Sequence, residues 1–424
     1  MKMKERAIKE ERPIKKSTFS NGMRVLLKED HHSPLVSIQA YFLGGVLLET
    51  DKNNGVSQLL ARMMLRNSKH YTPYRNYEIV EAGGGSLFAF SGKNTLLIKC
   101  ESLSSEIERN LEIISEIIKN PFLDDKELDI QKKISINALK REEDSWEKKI
   151  CNFFRQIFFQ KSPYRLNPLG SEESLSEMTI TDVIEFFRKY VIPSNLVMSV
   201  FGDIDTETIQ KVVQGYFADF ASDHEFQYPF ITIEDPLLSS ERQTRIHENN
   251  IAFINIGFSG IRISNIRDRY PLQVLEGILS GVNYPGGRIH KELREKKLVY
   301  SVKSINSMNV EPGSFEIIAA TRPEMTEDVI DVILDNVEKL KKNFVAEEDL
   351  DKGKANAKMA YLVEMQKLSY RAADAALYEL YGIDYNFPQT YPLHINEVTR
   401  EEVYRIANTY FANHKIAIMR PSCR

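Results

Sequence analysis

The stretch that decides the fold is Gly55–Met64, which reads GVSQLLARMM. Its apolar residues predict a helix, its polar residues are Ser57, Gln58 and Arg62, and Ala61 lies between the last two. Gln58 is a poor neutral ligand for a metal ion, Ala61 carries no base, and Arg62 is a fixed cation that repels metals. This helix therefore offers neither a catalytic metal site nor a general base.

The chain also repeats itself. The block Leu175–Val183 aligns without a gap with Ile395–Val403, 220 residues later. A second pair of blocks, Phe122–Leu128 and Phe344–Leu350, aligns at an offset of 222 residues. Two blocks in the same order at nearly the same offset indicate a duplication. A period this long indicates tandem domains rather than a solenoid.

Each half predicts the same order of elements. Alternating strands come first, followed by a helix, further strands and two amphipathic helices. The first of these two helices is Ile107–Lys119 in one half and Val329–Lys342 in the other. A helix that starts at a threonine, Thr179–Tyr190 or Thr399–Tyr410, then leads to a last strand. Strands and segregated helices in this order predict α+β layers in two tandem homologous domains.

The domain boundary is predicted from composition. The segment 223–243 contains Pro229 and Pro236 and has mixed polarity, so we expect it to be a linker. The first domain then spans residues 1–222 and the second spans residues 244–424. A chain of 424 residues is long enough for two or three domains with ample cores.

Composition excludes several functional classes. The chain has 42% hydrophobic and 27% charged residues, which is ordinary for a soluble globular protein. Its net charge of -4 gives no reason to expect a nucleic acid or an anionic membrane as partner. Three scattered cysteines, Cys100, Cys151 and Cys423, are too few for a disulfide framework and fit a reducing compartment.

Targeting signals are not evident. Met1–Lys16 mixes basic residues with Glu5, Glu10 and Glu11 and has no apolar segment, so we expect no secretory or mitochondrial leader. No apolar run approaches the roughly 18 residues that a membrane span needs. The expected location is therefore the cytoplasm, and no membrane span is expected.

Gly55–Met64 resembles the zinc helix of the pitrilysin/insulinase family of metallopeptidases, whose inverted motif is His-x-x-Glu-His. Gln58 and Arg62 stand at the two histidine positions and Ala61 at the glutamate. In such enzymes about three protein ligands hold zinc, which lowers the pKa of a bound water that a carboxylate deprotonates. The apolar positions of the motif survive here, and its metal-facing positions do not.

The family's third zinc ligand is a Glu on a later helix, and its counterpart here is Ile134–Asp144. Asn137 and Ala138 stand where carboxylates belong. Because all three ligands and the base are missing together, the resemblance implies no metal site and no cofactor in this chain. Zinc is expected in a partner subunit instead.

Three further stretches, in the family's order, support the resemblance over nearly the whole chain: Glu81–Ser91, Asn195–Asp203 and Gly287–Val302. The family implies that each domain is an antiparallel sheet packed against helices. It also includes two-chain members, such as the mitochondrial processing peptidase and bacterial homologues, in which one subunit has lost the zinc motif. This chain resembles that non-catalytic subunit.

Arg294 and Tyr300 match an Arg/Tyr pair that, in the family, lies across the cleft from zinc and binds the substrate carbonyl. A fixed cation and a phenolic donor suit a developing oxyanion. The resemblance thus implies that they act catalytically in a partner's cleft. The family's usual Gly before Leu298 is absent, and the spacing from Arg294 to Tyr300 is one residue shorter than usual. Arg288 is therefore an alternative to Arg294. A further alternative is that Arg294 and Tyr300 are only surface residues on a turn between helix and strand.

Two segments are expected to contact substrate. One is the strand after Gly83–Gly85, which we expect to be an edge that pairs with extended peptide unless the glycines form only a hairpin turn. The other, with Gly281, Gly286 and Gly287 around Pro285, resembles the glycine-rich loop of the non-zinc subunit of the mitochondrial processing peptidase. The expected substrate-binding residues are Phe88, Ala89, Phe90, Ser91, Gly286, Gly287 and Arg288.

The predicted function is a non-catalytic subunit of a heterodimeric zinc metalloendopeptidase. It would provide cleft wall and transition-state contacts to a homologous zinc-bearing partner that cleaves extended peptides. The alternative is a proteolytically inert scaffold that keeps the peptidase fold. Independent enzymatic activity is disfavoured by the missing ligands.

Overall fold

A computed structural model describes residues 13–66, 68, 75–248, 250–282 and 286–421. Most of the N-terminal segment discussed above, and Cys423, lie outside these residues. The first half forms these elements: β1 Lys15–Thr18, β2 Arg24–Glu29, β3 Leu35–Leu43, α1 Val56–Arg66, α2 Arg75–Ala82, β4 Ser86–Ser91, β5 Thr95–Leu103, α3 Ile107–Lys119, α4 Asp125–Asp144, α5 Trp146–Phe158, α6 Glu172–Glu177, α7 Ile180–Tyr190, β6 Leu196–Gly202 and α8 Thr206–Phe217.

The second half repeats most of that order. Its elements are β7 Glu241–His247, β8 Ala252–Ser259, α9 Ile266–Leu279, α10 Gly287–Glu295, β9 Val299–Ser307, β10 Ser314–Thr321, α11 Thr326–Lys342, α12 Glu347–Glu364, α13 Leu368–Leu380, α14 Phe387–Glu397, α15 Arg400–Tyr410 and β11 His414–Pro421. β7 begins inside the segment predicted to be linker, so the last three residues of that segment pair in the second sheet.

The two sheets have equivalent strand orders. The first runs β1-β2-β6-β3-β5-β4 and the second β7-β11-β8-β10-β9, which match once β1 is set aside. The predicted α+β fold with two tandem homologous domains is therefore confirmed. Antiparallel pairing holds in every ladder but one per sheet, since β2–β6 and β7–β11 are parallel. By this correspondence α1, α4 and β4 are equivalent to α9, α12 and β9.

Local sequence signals explain where the predicted helices start. α7 and α15 each begin with a capping box, Thr179 with Asp182 and Thr399 with Glu402, which satisfies backbone N–H groups at the first turn. α3 spans the predicted residues, with its isoleucines buried on one face. These signals involve residues only three or four positions apart, so they can be recognised in the sequence.

Each sheet is covered on one face by a helix from the other domain. α5 packs on β8 and β11, whereas α13 packs on β3 and β6. The ring of Trp146 stacks on Phe253 with centroids 5.0 Å apart. Gly257 makes room for α5, because a Cβ there would lie 2.0 Å from the ring of Phe154. Burying one such phenylalanine contributes about 2 kcal/mol, so this exchange of helices joins the domains firmly.

Polar contacts fix the other exchanged helix. Gln39 Nε2 donates to the carbonyl oxygen of Ser369 at 2.6 Å, and Ser199 Oγ donates to that of Ala372 at 2.9 Å. Because these donors are buried in β3 and β6, leaving them unpaired would be costly. None of the described helices is long and apolar enough to cross a membrane.

Candidate functional site

The N-terminus of α1 is held by a buried carboxylate. Glu49 accepts hydrogen bonds from the backbone N–H groups of Gly55 at 2.8 Å and Ser57 at 3.1 Å, and from the side chains of Asn54 and Ser57. A negative charge there satisfies orphan donors and suits the helix dipole. Burial raises the pKa of Glu49, and these hydrogen bonds oppose that rise. The Glu49 carboxylate therefore fixes the N-terminus of α1.

Gln58 is used structurally. Its side-chain oxygen accepts a hydrogen bond from the backbone N–H of Ser91 at 2.8 Å and so ties α1 to the end of β4. Ala61, one turn along, is completely buried, so its methyl group sits in the hydrophobic core. The two positions therefore serve packing and strand attachment.

Arg62 bridges α1 to α4. Its guanidinium donates to Ser135 Oγ at 3.0 Å. Burial and, secondly, the charge of nearby Arg141 lower the pKa of Arg62. A cation thus lies between the two helices that would have to hold a metal, and a second positive charge stands close to it. Sequence reasoning missed Ser135, since only its position on the face toward α1 reveals its role.

Asn137 and Ala138 occupy different faces of α4. Asn137 is exposed and lies about 200° around the helix from Ser135, whereas Ala138 is half-buried and lies about 60° from it. Position 138, rather than 137, therefore shares the face that contacts Arg62. Among the described residues no three His, Cys, Asp or Glu side chains come close enough to hold a metal ion. The residues around α1 do not fit zinc.

β4 is an edge strand. Among the described residues it pairs only with β5, in the register Phe88↔Lys99 and Phe90↔Leu97. Phe88 is 59% and Phe90 56% exposed, while Ser91 is buried and Ala89 is partly buried. The open backbone of this edge can pair with an extended chain, and two aromatic side chains flank it on one face.

Arg294 and Tyr300 lie at the end of α10 and the start of β9. Both side chains are exposed, Tyr300 to 65%, and neither forms a hydrogen bond or ion pair with the described residues. Burial and, secondly, the Arg294 charge lower the pKa of His290, one turn earlier in α10. A fixed cation and a phenol donor are therefore available to an external oxygen atom.

The missing glycine before Leu298 has a structural replacement. Lys297 has a φ of 53°, in the left-handed region that glycine usually fills at the end of a helix. Its N–H donates to the carbonyl of Arg294 at 3.0 Å, and the N–H of Leu298 donates to that of Leu293 at 2.9 Å. The turn thus closes as a glycine turn would, although the sequence there is one residue shorter than the family pattern.

The other expected substrate-binding residues are placed differently. Arg288 donates through Nε and Nη2 to Asp349 on α12, at 3.1 and 2.6 Å, so its guanidinium already has a partner. Gly286 caps α10 in an extended conformation. Gly287 has a φ of 74°, and a Cβ there would lie 2.5 Å from the backbone of Leu279. Gly287 therefore allows this close packing, and residues 283–285, which precede Gly286, lie outside the described residues.

Known proteins match both domains. The family model described as Insulinase (Peptidase family M16) matches residues 24–171, and that described as Peptidase M16 inactive domain matches residues 177–357. The chain is 23% identical over 411 residues to the uncharacterized zinc protease YmxG of Bacillus subtilis, covering 96% of this chain and 98% of that protein.

Two further proteins are similar along almost the whole chain. One is the Probable mitochondrial-processing peptidase subunit beta of Arabidopsis thaliana, 20% identical over 411 residues, which cover 95% of this chain and 77% of that protein. The other is the crystal structure of a protease from Helicobacter pylori, with a TM-score of 0.90 and 19% identity over 97% of this chain and 100% of that chain. The latter likeness shows a shared fold.

Proposed function

Because the chain belongs to peptidase family M16, the insulinase family, we propose that it is the non-catalytic subunit of a heterodimeric zinc metalloendopeptidase. A homologous partner carries the zinc, and this chain provides part of the cleft wall. Arg294 and Tyr300 donate to the carbonyl oxygen of the peptide that the partner hydrolyses. That oxygen becomes an oxyanion, so donors aimed at it lower the barrier.

The observation that carries this proposal is a contrast between two sets of polar residues. Gln58 and Arg62, at the zinc positions, are engaged inside the chain with Ser91 and Ser135. Arg294 and Tyr300 are exposed and make no hydrogen bond or ion pair with any described residue. The first pair supports loss of zinc, and the second supports action on something outside this chain.

We further propose that the β4 edge holds extended peptide during cleavage. Its backbone would form the ladder, and Phe88 and Phe90 would contact alternate side chains. The compartment we propose is the cytoplasm. Cys100 and Cys151 are free thiols, which suits a reducing environment.

The test is reconstitution with the partner. This chain, tagged at its C-terminus, is purified from its native cells, and any M16 chain with an intact His-x-x-Glu-His motif that co-purifies is expressed separately. We expect neither chain alone to cleave a peptide library efficiently, and the mixture to do so with chelator-sensitive turnover. The matched control is a mixture with the Arg294→Ala, Tyr300→Phe double variant, which should assemble and remain slow.

Two outcomes would contradict the proposal. A zinc-bearing subunit that is fully active without this chain, and is not accelerated by it, would remove the catalytic contribution. Assembly into a stable complex that lacks any peptidase activity would instead favour the second candidate, an inert scaffold that keeps the fold.

A further inference from the structure

The second domain contains a cavity where the first domain has its degenerate zinc site. The cavity has a volume of about 390 Å³ and lies between α9, β9, α12 and α14, of which the first three correspond to α1, β4 and α4. Its polar lining includes Gln273 and Glu276 from α9, Ser304 from β9, Tyr361 and Glu364 from α12, and Tyr391 from α14.

Glu276 is a buried acid without a counter-ion. Glu276 is only 8% exposed, and its carboxylate accepts a hydrogen bond from Ser304 Oγ at 2.9 Å. It forms no ion pair with any residue that the structure describes. A buried carboxylate normally requires a paired charge, because removing it from water is costly. Burial raises the pKa of Glu276 to about 6, which leaves it mostly ionised at neutral pH.

Tyr391 gives a second, independent sign. This residue is only 4% exposed, it lines the cavity, and its hydroxyl makes no hydrogen bond within the described part of the chain. The side-chain oxygen of Gln273, another lining residue, is likewise buried without a hydrogen-bond partner among the described residues. A carboxylate, an amide oxygen and a phenol oxygen all accept hydrogen bonds, so the cavity suits a ligand that donates several.

We propose that this cavity binds an organic monocation, the guanidinium or ammonium group of an arginine- or lysine-type side chain. Such a group carries three to five N–H donors and one positive charge, which complement Glu276, Tyr391 and Gln273. A divalent metal fits less well, because no three acidic or imidazole side chains converge among the described residues. The site does not depend on zinc in a partner, so it stands apart from the proposed function.

The experiment is calorimetric titration of the full chain at neutral pH. The probe is N-acetyl-arginine methylamide, and the matched neutral probe is N-acetyl-citrulline methylamide, which has nearly the same shape. We expect saturable binding of the arginine compound and at least tenfold weaker binding of the citrulline compound. Glu276→Gln should weaken arginine binding by about tenfold to a hundredfold. Glu324→Gln, which removes an exposed carboxylate of the same domain, should change nothing.

Two results would overturn the proposal: equal affinity for the charged and neutral probes, or unchanged affinity in Glu276→Gln. If Glu276→Gln does not fold, Tyr391→Phe replaces it, since that change removes only a hydroxyl. It should weaken arginine binding several-fold, and full affinity in this variant would equally contradict the assignment.

Discussion

The two domains use the same frame of two helices and an edge strand in opposite ways. In the first domain Arg62 on α1 donates a hydrogen bond to Ser135 on α4, and Gln58 accepts one from the backbone N–H of Ser91 at the end of β4. In the second domain the equivalent space is a cavity lined by Glu276, an acid that forms no ion pair with the described residues. If the second domain binds a cation as proposed, a few side chains rather than the backbone decide whether this frame holds a ligand.

The first domain also shows how residues of this chain hold α1 in place. Its α1 helix is capped by Glu49 and buried among apolar residues, so the fold does not require zinc as a structural element. Arg294 and Tyr300, the proposed donors, both lie in the second domain.

The largest effect is expected at Tyr300. In the reconstituted complex Tyr300→Phe should reduce kcat by about 100- to 1,000-fold, the usual result of losing one oxyanion donor. The ring is kept, so the complex should elute unchanged in gel filtration. Tyr404→Phe on α15 is the control and should leave turnover unaffected. Wild-type kcat in Tyr300→Phe would place the phenol outside the chemistry.

The next effect concerns an attempt to rebuild the first site. The triple change Gln58→His, Ala61→Glu and Arg62→His should destabilise the chain by on the order of 3 kcal/mol, because it buries a carboxylate in the core and removes two hydrogen bonds. Denaturant unfolding measures this loss. The exposed change Ala82→Glu is the control and should cost little.

The same variant should still lack zinc, because the third ligand is missing. Adding Ala138→Glu should produce zinc binding, whereas adding Asn137→Glu should not, since only position 138 shares the face of Ser135. Metal analysis after dialysis compares the two quadruple variants. Equal zinc content in both, or zinc in the triple variant, would show that the faces of α4 are assigned wrongly.

The third effect is a pH dependence of stability that arises in the second domain. The folded pKa of Glu276 is about 6, above its ordinary 4.5, so its protonation favours the folded state at low pH. That stabilisation is lost as the pH rises from about 4.5 through 6 and amounts to about 2 kcal/mol. The groups around it include Glu364 and Tyr361 on α12 and Tyr391 on α14. Burial raises the pKa of Glu364 too, which gives the same sign.

The measurement is the difference in unfolding free energy between the wild type and Glu276→Gln at pH 5 and pH 7. The wild type should lose stability relative to the variant as the pH rises. A constant difference across this range would mean that Glu276 titrates as an ordinary exposed acid.

The smallest effect concerns the turn between Arg294 and Tyr300. Lys297 adopts a φ of 53°, so Lys297→Gly should stabilise the chain by about 0.5–1 kcal/mol, while Lys297→Ala should not. Thermal unfolding resolves the two variants. A destabilised glycine variant would indicate that the Lys297 side chain makes contacts that outweigh the strain.

Much of the fold follows from local patterns. The span of α3 and the capping boxes of α7 and α15 are encoded in consecutive residues, and the repeat predicts the equivalence of the sheets. The exchange of α5 and α13 could not be predicted, because an amphipathic helix does not specify which sheet it covers. The parallel ladder in each sheet also depends on pairing between strands far apart in sequence.

The site is predicted less completely, for the same reason. The loss of zinc ligands is visible at single positions, but the pairing of Arg288 with Asp349 joins residues 61 apart. Ser135 has no signal except its place on the face of α4 that meets α1. Glu276 lies within the largely buried helix α9, so sequence periodicity places it in a core rather than beside a cavity.

Metal content tests most directly the central claim that this chain no longer holds zinc and that a partner supplies it. The purified chain is analysed by plasma mass spectrometry alone and after assembly with the proposed zinc-bearing partner. The account predicts no stoichiometric zinc in the chain alone and about one zinc ion per heterodimer, held by the partner's three ligands. About one tightly bound zinc ion per chain in the absence of a partner would contradict it.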